Sequence, residues 1–335
     1  MQIAVLGINH KFAALEVREH FAKLCHYYIR NQQDFLYPSV ILSTCNRTEI
    51  YYSASDLSKA GDELHQLLST PLYNNFYNTT YFFTGPDCFT HLAHVITGMD
   101  SAIIGETEIQ GQVKKAYLIA TANTSLPHEL HYLFQKCMRI GKQIRSQLLL
   151  GKGGLSLEQA LLDLWQLTFG SASVHRILFI GASEINHKMI QFFKLNQVPN
   201  VSLCNRSFEK TEAFAQDNEI HPLPWHAARQ WPDYDMVVFG TKYPDYLATP
   251  KDCIGSTTRK RLLIDLSVPR NVDPALGNVP NVSLYNIDDM HALVSKEKKI
   301  DSRLAKTIET TLNHAAMRQH QIFLDKTSLP LAVEV

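Results

Sequence analysis

The sequence predicts an α/β protein: an N-terminal α+β domain over residues 1–150, a doubly wound parallel-sheet domain over 151–286, and a long C-terminal helix over 287–335. Three observations predict it. Strand-like and helix-like apolar periods are mixed through the first 150 residues, with strands adjacent in sequence. Gly151-Lys152-Gly153-Gly154 then breaks the pattern as a glycine-rich boundary. Beyond it, strands alternate regularly with helical stretches, as in a parallel sheet joined by crossover helices.

Taken in order, Ile3 to Gly7 reads as a strand, and Val17, Phe21, Leu24, Cys25 and Tyr28 recur at helical spacing. Val40 to Thr44 and Glu49 to Tyr52 are two strands joined by a bend at Cys45-Asn46-Arg47. Ile109, Val113, Ala116 and Tyr117 mark one helix. Leu130, Leu133, Phe134, Cys137, Ile140, Ile144 and Leu148 form a longer amphipathic stripe. After the glycines come strands at 176–180, 200–204, 236–239, 262–264 and 282–285. From Ile287 to about Leu324 the period is helical, with Leu304, Ile308, Leu312, Ala315, Ile322 and Phe323 on one face that needs a partner surface.

Composition excludes several classes. Lys+Arg and Asp+Glu stand at 32 each, so no global basic field announces nucleic acid, and any such contact is local or shape-driven. The mean hydropathy is −0.14, and no apolar run reaches the roughly 18 residues that span a bilayer. The first residues lack the regions of a signal peptide, and the six cysteines carry no CxxC pair or metal spacing. Free thiols in a reducing cytoplasm are expected.

Ser43-Thr44-Cys45-Asn46-Arg47 sets a thiol among a hydroxyl, an amide and a guanidinium where a strand runs out. Buried, inert cysteine is the commoner case, and Cys25 and Cys137 fit it on their apolar stripes. A nucleophilic thiolate needs cations and donors nearby, because a free thiol with a pKa of about 8.5 is mostly protonated at neutral pH. The strand–turn–helix around Gly181-Ala182-Ser183-Glu184-Ile185-Asn186 suits a dinucleotide, whose pyrophosphate needs a tight turn and a helix N-terminus. The next strand ends at Asn205-Arg206-Ser207, where Arg and Ser suit a 2′-phosphate and hence NADP(H) in a Rossmann-type domain, the alternative being a solvated loop charge at Arg206. A third cluster runs from His91 through Gly98-Met99-Asp100-Ser101 and Gly105-Glu106-Thr107-Glu108, with Glu108 and Gln112 on one helical face. A lone His and a polar loop are more often structural than catalytic.

In this order, the three clusters resemble glutamyl-tRNA reductase. The resemblance rests on Gly7-Ile8-Asn9-His10, Val17-Arg18-Glu19, the run from Leu42 to Tyr51, the block from Gly98 to Tyr117, Gly141-Lys142 with Arg145, Asn205-Arg206-Ser207, Asp265-Leu266-Ser267-Val268-Pro269-Arg270 and Tyr285-Asn286-Ile287-Asp288-Asp289. It covers about residues 1–325. It implies that Cys45 attacks the ester of glutamyl-tRNA(Glu), that NADPH reduces the resulting thioester to glutamate-1-semialdehyde, the first step of tetrapyrrole synthesis from glutamate, and that His91 gives acid–base help. Thr44, Cys45, Asn46, Arg47, Ser101, Glu106, Thr107, Glu108 and Gln112 fall on substrate-contact positions, with Arg47 clamping a substrate carboxylate. Two positions depart: Ser183 replaces a glycine, and His94 a residue that is commonly Arg. The resemblance also implies a homodimer, a glutamate-1-semialdehyde aminotransferase as partner, and a C-terminal helix that is the remnant of a truncated dimerisation region. The residues alone leave open an NADP-dependent dehydrogenase of a small acid, or a non-catalytic tRNA- or nucleotide-binding regulator.

Overall fold

The computed structural model describes residues 2–31, 35–68, 76–106, 108–147, 156–170, 175–253, 259–297 and 302–328. Thr107, Leu148, the glycine run at 151–154 and Pro330 lie outside them. The chain forms two compact units, Met1–Gly154 with Lys299–Val335, and Leu155–Lys298.

The first unit is built on an antiparallel sheet in the order β2-β3-β1-β4: β1 Ile3–Asn9, β2 Ser39–Ser43, β3 Arg47–Ser53 and β4 Tyr81–Thr84. Side chains alternate across a strand, and here both faces are covered. Ala4, Leu6, Ile8, Ile50 and Tyr52 pack with Phe21 and Cys25 of α1 (Leu15–Arg30) and Leu64 of α2 (Leu57–Leu68). Ile3, Val5 and Tyr51 face the opposite layer, formed by α4 (Gly85–Thr97), α5 (Glu108–Asn123) and α6 (His128–Gln147). The short α3 (Phe76–Thr79) precedes β4. The bend expected at Cys45-Asn46-Arg47 is tighter than the spacing suggests, because Arg47 already pairs with Asn9 and begins β3.

The second unit is a six-stranded parallel sheet in the order β10-β9-β8-β5-β6-β7, comprising β5 Ile177–Ile180, β6 Val201–Cys204, β7 His221–Leu223, β8 Met236–Phe239, β9 Arg261–Asp265 and β10 Val282–Asn286. Its helices are α7 (Leu157–Phe169), α8 (Glu184–Leu195), α9 (Phe208–Asn218) and α10 (Ile287–Glu297). The strands β5, β8 and β9 are buried along their whole length, which is why they read as continuous apolar runs. Chain order reverses between β5 and β8, the switch point at which doubly wound sheets bind ligands.

The helical segment expected from Ile287 is divided between the units. Helix α10 packs on α7 in the second, while α11 (Ser302–Ser328) packs on α4 and α6 in the first. The stripe expected to remain as a dimer interface is instead covered by its own chain: Ile308, Leu312 and Ala316 are 0% exposed, with Phe323 buried in the same cluster. Tyr132 of α6 donates to the Gln319 carbonyl at 3.1 Å, and His94 of α4 meets Asn313 Oδ1 at 2.8 Å, so the departure at His94 has a structural partner on α11. Leu304 falls outside the covered stripe.

Candidate active site

Cys45 sits in the turn that joins β2 to β3. The Thr44 N–H donates to the Arg47 carbonyl at 2.8 Å, while Thr44 Oγ1 accepts from the Asn46 and Arg47 N–H groups, each at 3.2 Å. The His10 N–H holds the Asn46 carbonyl at 3.0 Å, and the buried Arg18 guanidinium donates to the Cys45 carbonyl at 2.9 Å. Thr44 is thus a hydroxyl turn-former, and the thiol rides on a backbone fixed from three sides. Cys45 is half-buried, whereas Cys25, Cys88, Cys137, Cys204 and Cys253 are buried, and burial pushes all five of those thiols up, Cys204 to about 12.

Period two along β3 places Arg47, Glu49 and Tyr51 on one face, toward α4. Arg47, expected to clamp a substrate carboxylate, is engaged here by the protein's own carboxylates. Its side chain is 1% exposed, with Nη1 donating to Glu49 Oε1 at 2.8 Å and Asp100 Oδ2 at 2.9 Å, and Nη2 to the Asp100 carbonyl at 2.6 Å. These three bonds tie the Cys45 turn to the loop after α4. Glu49 is fully buried. Besides Arg47 it accepts from Tyr81 OH at 2.5 Å and Tyr51 OH at 2.6 Å, and Oε1 lies 2.8 Å from His91 Nε2 on α4. Burial alone would raise the Glu49 carboxyl, but Arg47 and His91 bring it well below the usual carboxylate range. Asp100 is lowered too, burial being outweighed by Arg47 and by Lys11, whose Nζ reaches Asp100 Oδ1 at 2.5 Å. Burial and the cations Arg47, Lys11 and Arg18 push His10 down to about 4. Gly7 faces Glu49 and Tyr81 across the sheet, and a Cβ there would stand 2.5 Å from the Tyr81 ring. The missing side chain is the space through which that phenol reaches Glu49.

The loop from Gly98 to Glu106 closes on itself through Gly105 N–H to the Gly98 carbonyl at 2.9 Å, and Arg145 of α6 pins it by donating to the carbonyls of Thr97 at 3.2 Å and Glu106 at 2.5 Å. Burial raises the Glu106 carboxyl against the opposing pull of Ser101, Arg47 and Arg145. The expected site residues are therefore gathered as follows. Thr44, Cys45 and Arg47 share the turn, and Arg47 draws in Asp100 beside Ser101. Glu108 and Gln112 are half-buried on α5, and His91 joins through Glu49. Thr107 is outside the described residues. Asn46 and Ser101 are 3% and 4% exposed, and Asn46 Oδ1 is buried without a hydrogen-bond partner. Glu49, Lys11, Tyr81 and Arg145 were not expected at the site, and Asp100 was expected only as part of the polar loop cluster. The readable signal for Glu49 was a carboxylate inside an apolar strand, two residues from an arginine.

In the second unit, Gly181 ends β5 at a φ of 96°, and a Cβ there would stand 2.5 Å from the Gly240 carbonyl at the end of β8. Only glycine fits this turn at the switch point. Ser183 caps α8 by accepting from the Asn186 N–H at 3.3 Å, leaving the earlier N–H groups of Glu184 and Ile185 at the helix start for an anion. Asn186 was expected to bind cofactor. Instead it is fully buried and braces the turn, its amide donating to the carbonyls of Ile180 at 3.2 Å and Gly181 at 2.8 Å. Arg206 is exposed beyond β6, its guanidinium 6.0 Å from the Trp225 ring, and Ser207 starts α9 without using its side chain as a cap. The glycine cradle, the open helix start and a cation beyond the adjoining strand fit a dinucleotide carrying an extra phosphate.

Comparisons with known proteins match both units. Residues 6–148 match the family model described as glutamyl-tRNAGlu reductase, N-terminal domain, and residues 163–293 match that of shikimate / quinate 5-dehydrogenase. The glutamyl-tRNA reductase of Carboxydothermus hydrogenoformans is 32% identical over 93% of this chain and 72% of its own length. That of Thermodesulfovibrio yellowstonii is 31% identical over 92% of this chain and 77% of its own. Among solved structures, glutamyl-tRNA reductase from Methanopyrus kandleri aligns with 97% of this chain and 80% of its own at 22% identity and a TM-score of 0.48. The 31–32% identity to the Carboxydothermus and Thermodesulfovibrio proteins, across both units, shows that the chain belongs to the glutamyl-tRNA reductase family.

Proposed function

We propose that this chain is an NADPH-dependent glutamyl-tRNA reductase that passes the glutamyl group through a thioester on Cys45. The observation that carries the reading is the placement of Cys45. It is the one half-buried thiol of the six, on a turn anchored by Arg18 and His10 and continuous through Arg47 with the Glu49–His91 pair.

The Cys45 thiolate attacks the carbonyl of the ester that links glutamate to the tRNA 3′ end. The C–S bond forms, the ester C–O bond breaks, and the ribose oxygen leaves with a proton. The turn holds the sulfur in place, so the attack needs little reorganisation. His91 is the proton carrier, and Arg47 orders the turn rather than gripping substrate. Glu106, Glu108 and Gln112 offer acceptors and an amide to the ammonium and carboxyl groups of the glutamyl moiety. Gly181, Ala182, Ser183, Glu184 and Ile185 hold the pyrophosphate of the dinucleotide, and Asn205, Arg206 and Ser207 its 2′-phosphate. NADPH bound there would supply a hydride to the thioester carbonyl; the C–S bond would break, His91 would return a proton to the Cys45 sulfur, and glutamate-1-semialdehyde would leave. On this proposal the reaction is the first step of tetrapyrrole synthesis, runs in the cytoplasm and hands the aldehyde to a glutamate-1-semialdehyde aminotransferase. No helix among the described residues is long and apolar enough to cross a membrane.

The test is incubation with labelled glutamyl-tRNA, with and without NADPH. Wild type forms a covalent glutamyl adduct at Cys45 without reductant and the aldehyde with it, and Cys45→Ser forms neither. Aldehyde production undiminished in Cys45→Ser overturns the thioester route, and wild type that leaves glutamyl-tRNA intact overturns the function.

A further inference from the structure

The His91–Glu49 contact specifies more than proximity. It is made through Nε2, at 2.8 Å from Glu49 Oε1. Glu49 is surrounded by donors: Arg47, Tyr51 and Tyr81 each give it a hydrogen bond. A carboxylate in that setting is ionised, and an ionised carboxylate only accepts, so the shared proton sits on Nε2. The neutral ring then carries its lone pair on Nδ1. That atom has no protein partner among the described residues. The imidazole is 11% exposed and flanked by the rings of Tyr81 and Phe83, each at 5.1 Å between centroids, which limits its rotation.

We propose that Glu49 is the positioning residue of the site, fixing His91 in the Nε2–H tautomer so that Nδ1 is the atom through which His91 exchanges protons with the substrate. The arrangement rests on the acyl-transfer reading above for its use, but the tautomer itself stands on the geometry alone. Glu49 works as an orienting carboxylate behind a histidine, and Tyr51 and Tyr81 hold that carboxylate in turn. Arg47 balances its charge, so the pair is neither free to rotate nor left as an uncompensated buried anion. The Nδ1 lone pair takes up a proton and returns it within one turnover, leaving His91 as it began.

The decisive measurement is made on the wild-type chain. In the full chain labelled with 15N-histidine, long-range 1H–15N correlation at about pH 8 reads the tautomer of neutral imidazole, with His91 assigned by its loss in His91→Gln. The expected pattern is a pyrrole-type Nε2 and a pyridine-type Nδ1. The opposite tautomer, or a ring protonated at both nitrogens, overturns the proposal. Glu49→Gln is expected to lose the single-tautomer signature and to lower kcat about 100-fold, within the range for general acid–base catalysis, while KM for glutamyl-tRNA moves less than about threefold. Glu49→Asp restores part of both. Glu49→Gln that retains tautomer and kcat overturns the proposal. Wild type that shows the tautomer but leaves glutamyl-tRNA intact overturns the functional reading and spares the positioning one.

Discussion

Replacing Arg47 with Met separates two roles that make opposite demands on the same side chain. Methionine keeps much of the apolar stem but removes the charge and all three hydrogen bonds to Glu49 and Asp100. Glu49 is fully buried and Asp100 largely so, leaving two carboxylates with reduced compensation. Removing one partner of a buried pair costs about 3–5 kcal/mol. Lys11 at Asp100 and the phenols at Glu49 offset part of that, so the lower end, about 3 kcal/mol, is expected. With a urea m-value of about 2–3 kcal/mol/M, the midpoint falls by about 1–1.5 M. Circular dichroism follows the whole chain. All three tryptophans, Trp165, Trp225 and Trp231, lie in the second unit and report on that unit by fluorescence. The circular dichroism midpoint should fall and kcat should drop with it, while KM for glutamyl-tRNA changes little. An unchanged midpoint together with a KM raised tenfold or more would refute the reasoning and return Arg47 to the role of substrate clamp.

Other outcomes follow from the same geometry. Gly181→Ala puts a Cβ 2.5 Å from the Gly240 carbonyl at a φ of 96°, so NADPH affinity measured by cofactor fluorescence should weaken about tenfold or more. Arg206→Ala should weaken NADPH binding by about 10–100-fold and leave NADH binding nearly unchanged, in line with the loss of one charge-assisted contact. Acidification should destabilise the first unit. His10 is held down to about 4 from 6.5, so its favourable neutral state is fully present above the higher value and is lost as pH falls through that interval. The lowered carboxyls of Glu49 and Asp100 add stability above the ordinary carboxylate range and lose it at still lower pH. Because the raised carboxyls of Asp265 and Glu106 act in the opposite sense over the same interval, the check is a thermal scan series from about pH 7 to pH 4 on wild type and His10→Asn: wild type should lose more stability, or gain less, than the variant, and an identical pH profile would contradict the reasoning.

The parallel sheet was the most legible part of the fold, because strands covered on both faces must be apolar throughout and glycine must end β5 where its Cβ would strike Gly240. The Cys45 turn was legible too, since Thr44, Cys45 and Asn46 are polar residues set against an apolar strand. The four-residue β4 was too short to leave a period, and Tyr81 gave no hint that its hydroxyl crosses above Gly7 to Glu49. Arg47 illustrates the other limit. Residue type told that a planar fork was wanted there, but only packing told that its acceptors are Glu49 and Asp100. The same holds for Asn186, whose place in a helix start resembles a ligand position until its burial shows it bracing the turn.

The return of α11 to the first unit has a consequence for biosynthesis. The apolar faces of α4 and α6 that receive Ile308, Leu312, Ala316 and Phe323 are made early, and their cover is encoded only after the whole second unit, roughly 150 residues later. At about 5–20 residues per second, that face waits on the order of 10–30 s on the ribosome before its last helix exists. The second unit, by contrast, is contiguous and can close as it emerges. A nascent chain arrested between the two events would carry an uncovered apolar strip of the kind that chaperones bind, and completing the first unit becomes a late, long-range step in which chain ends made many seconds apart must meet.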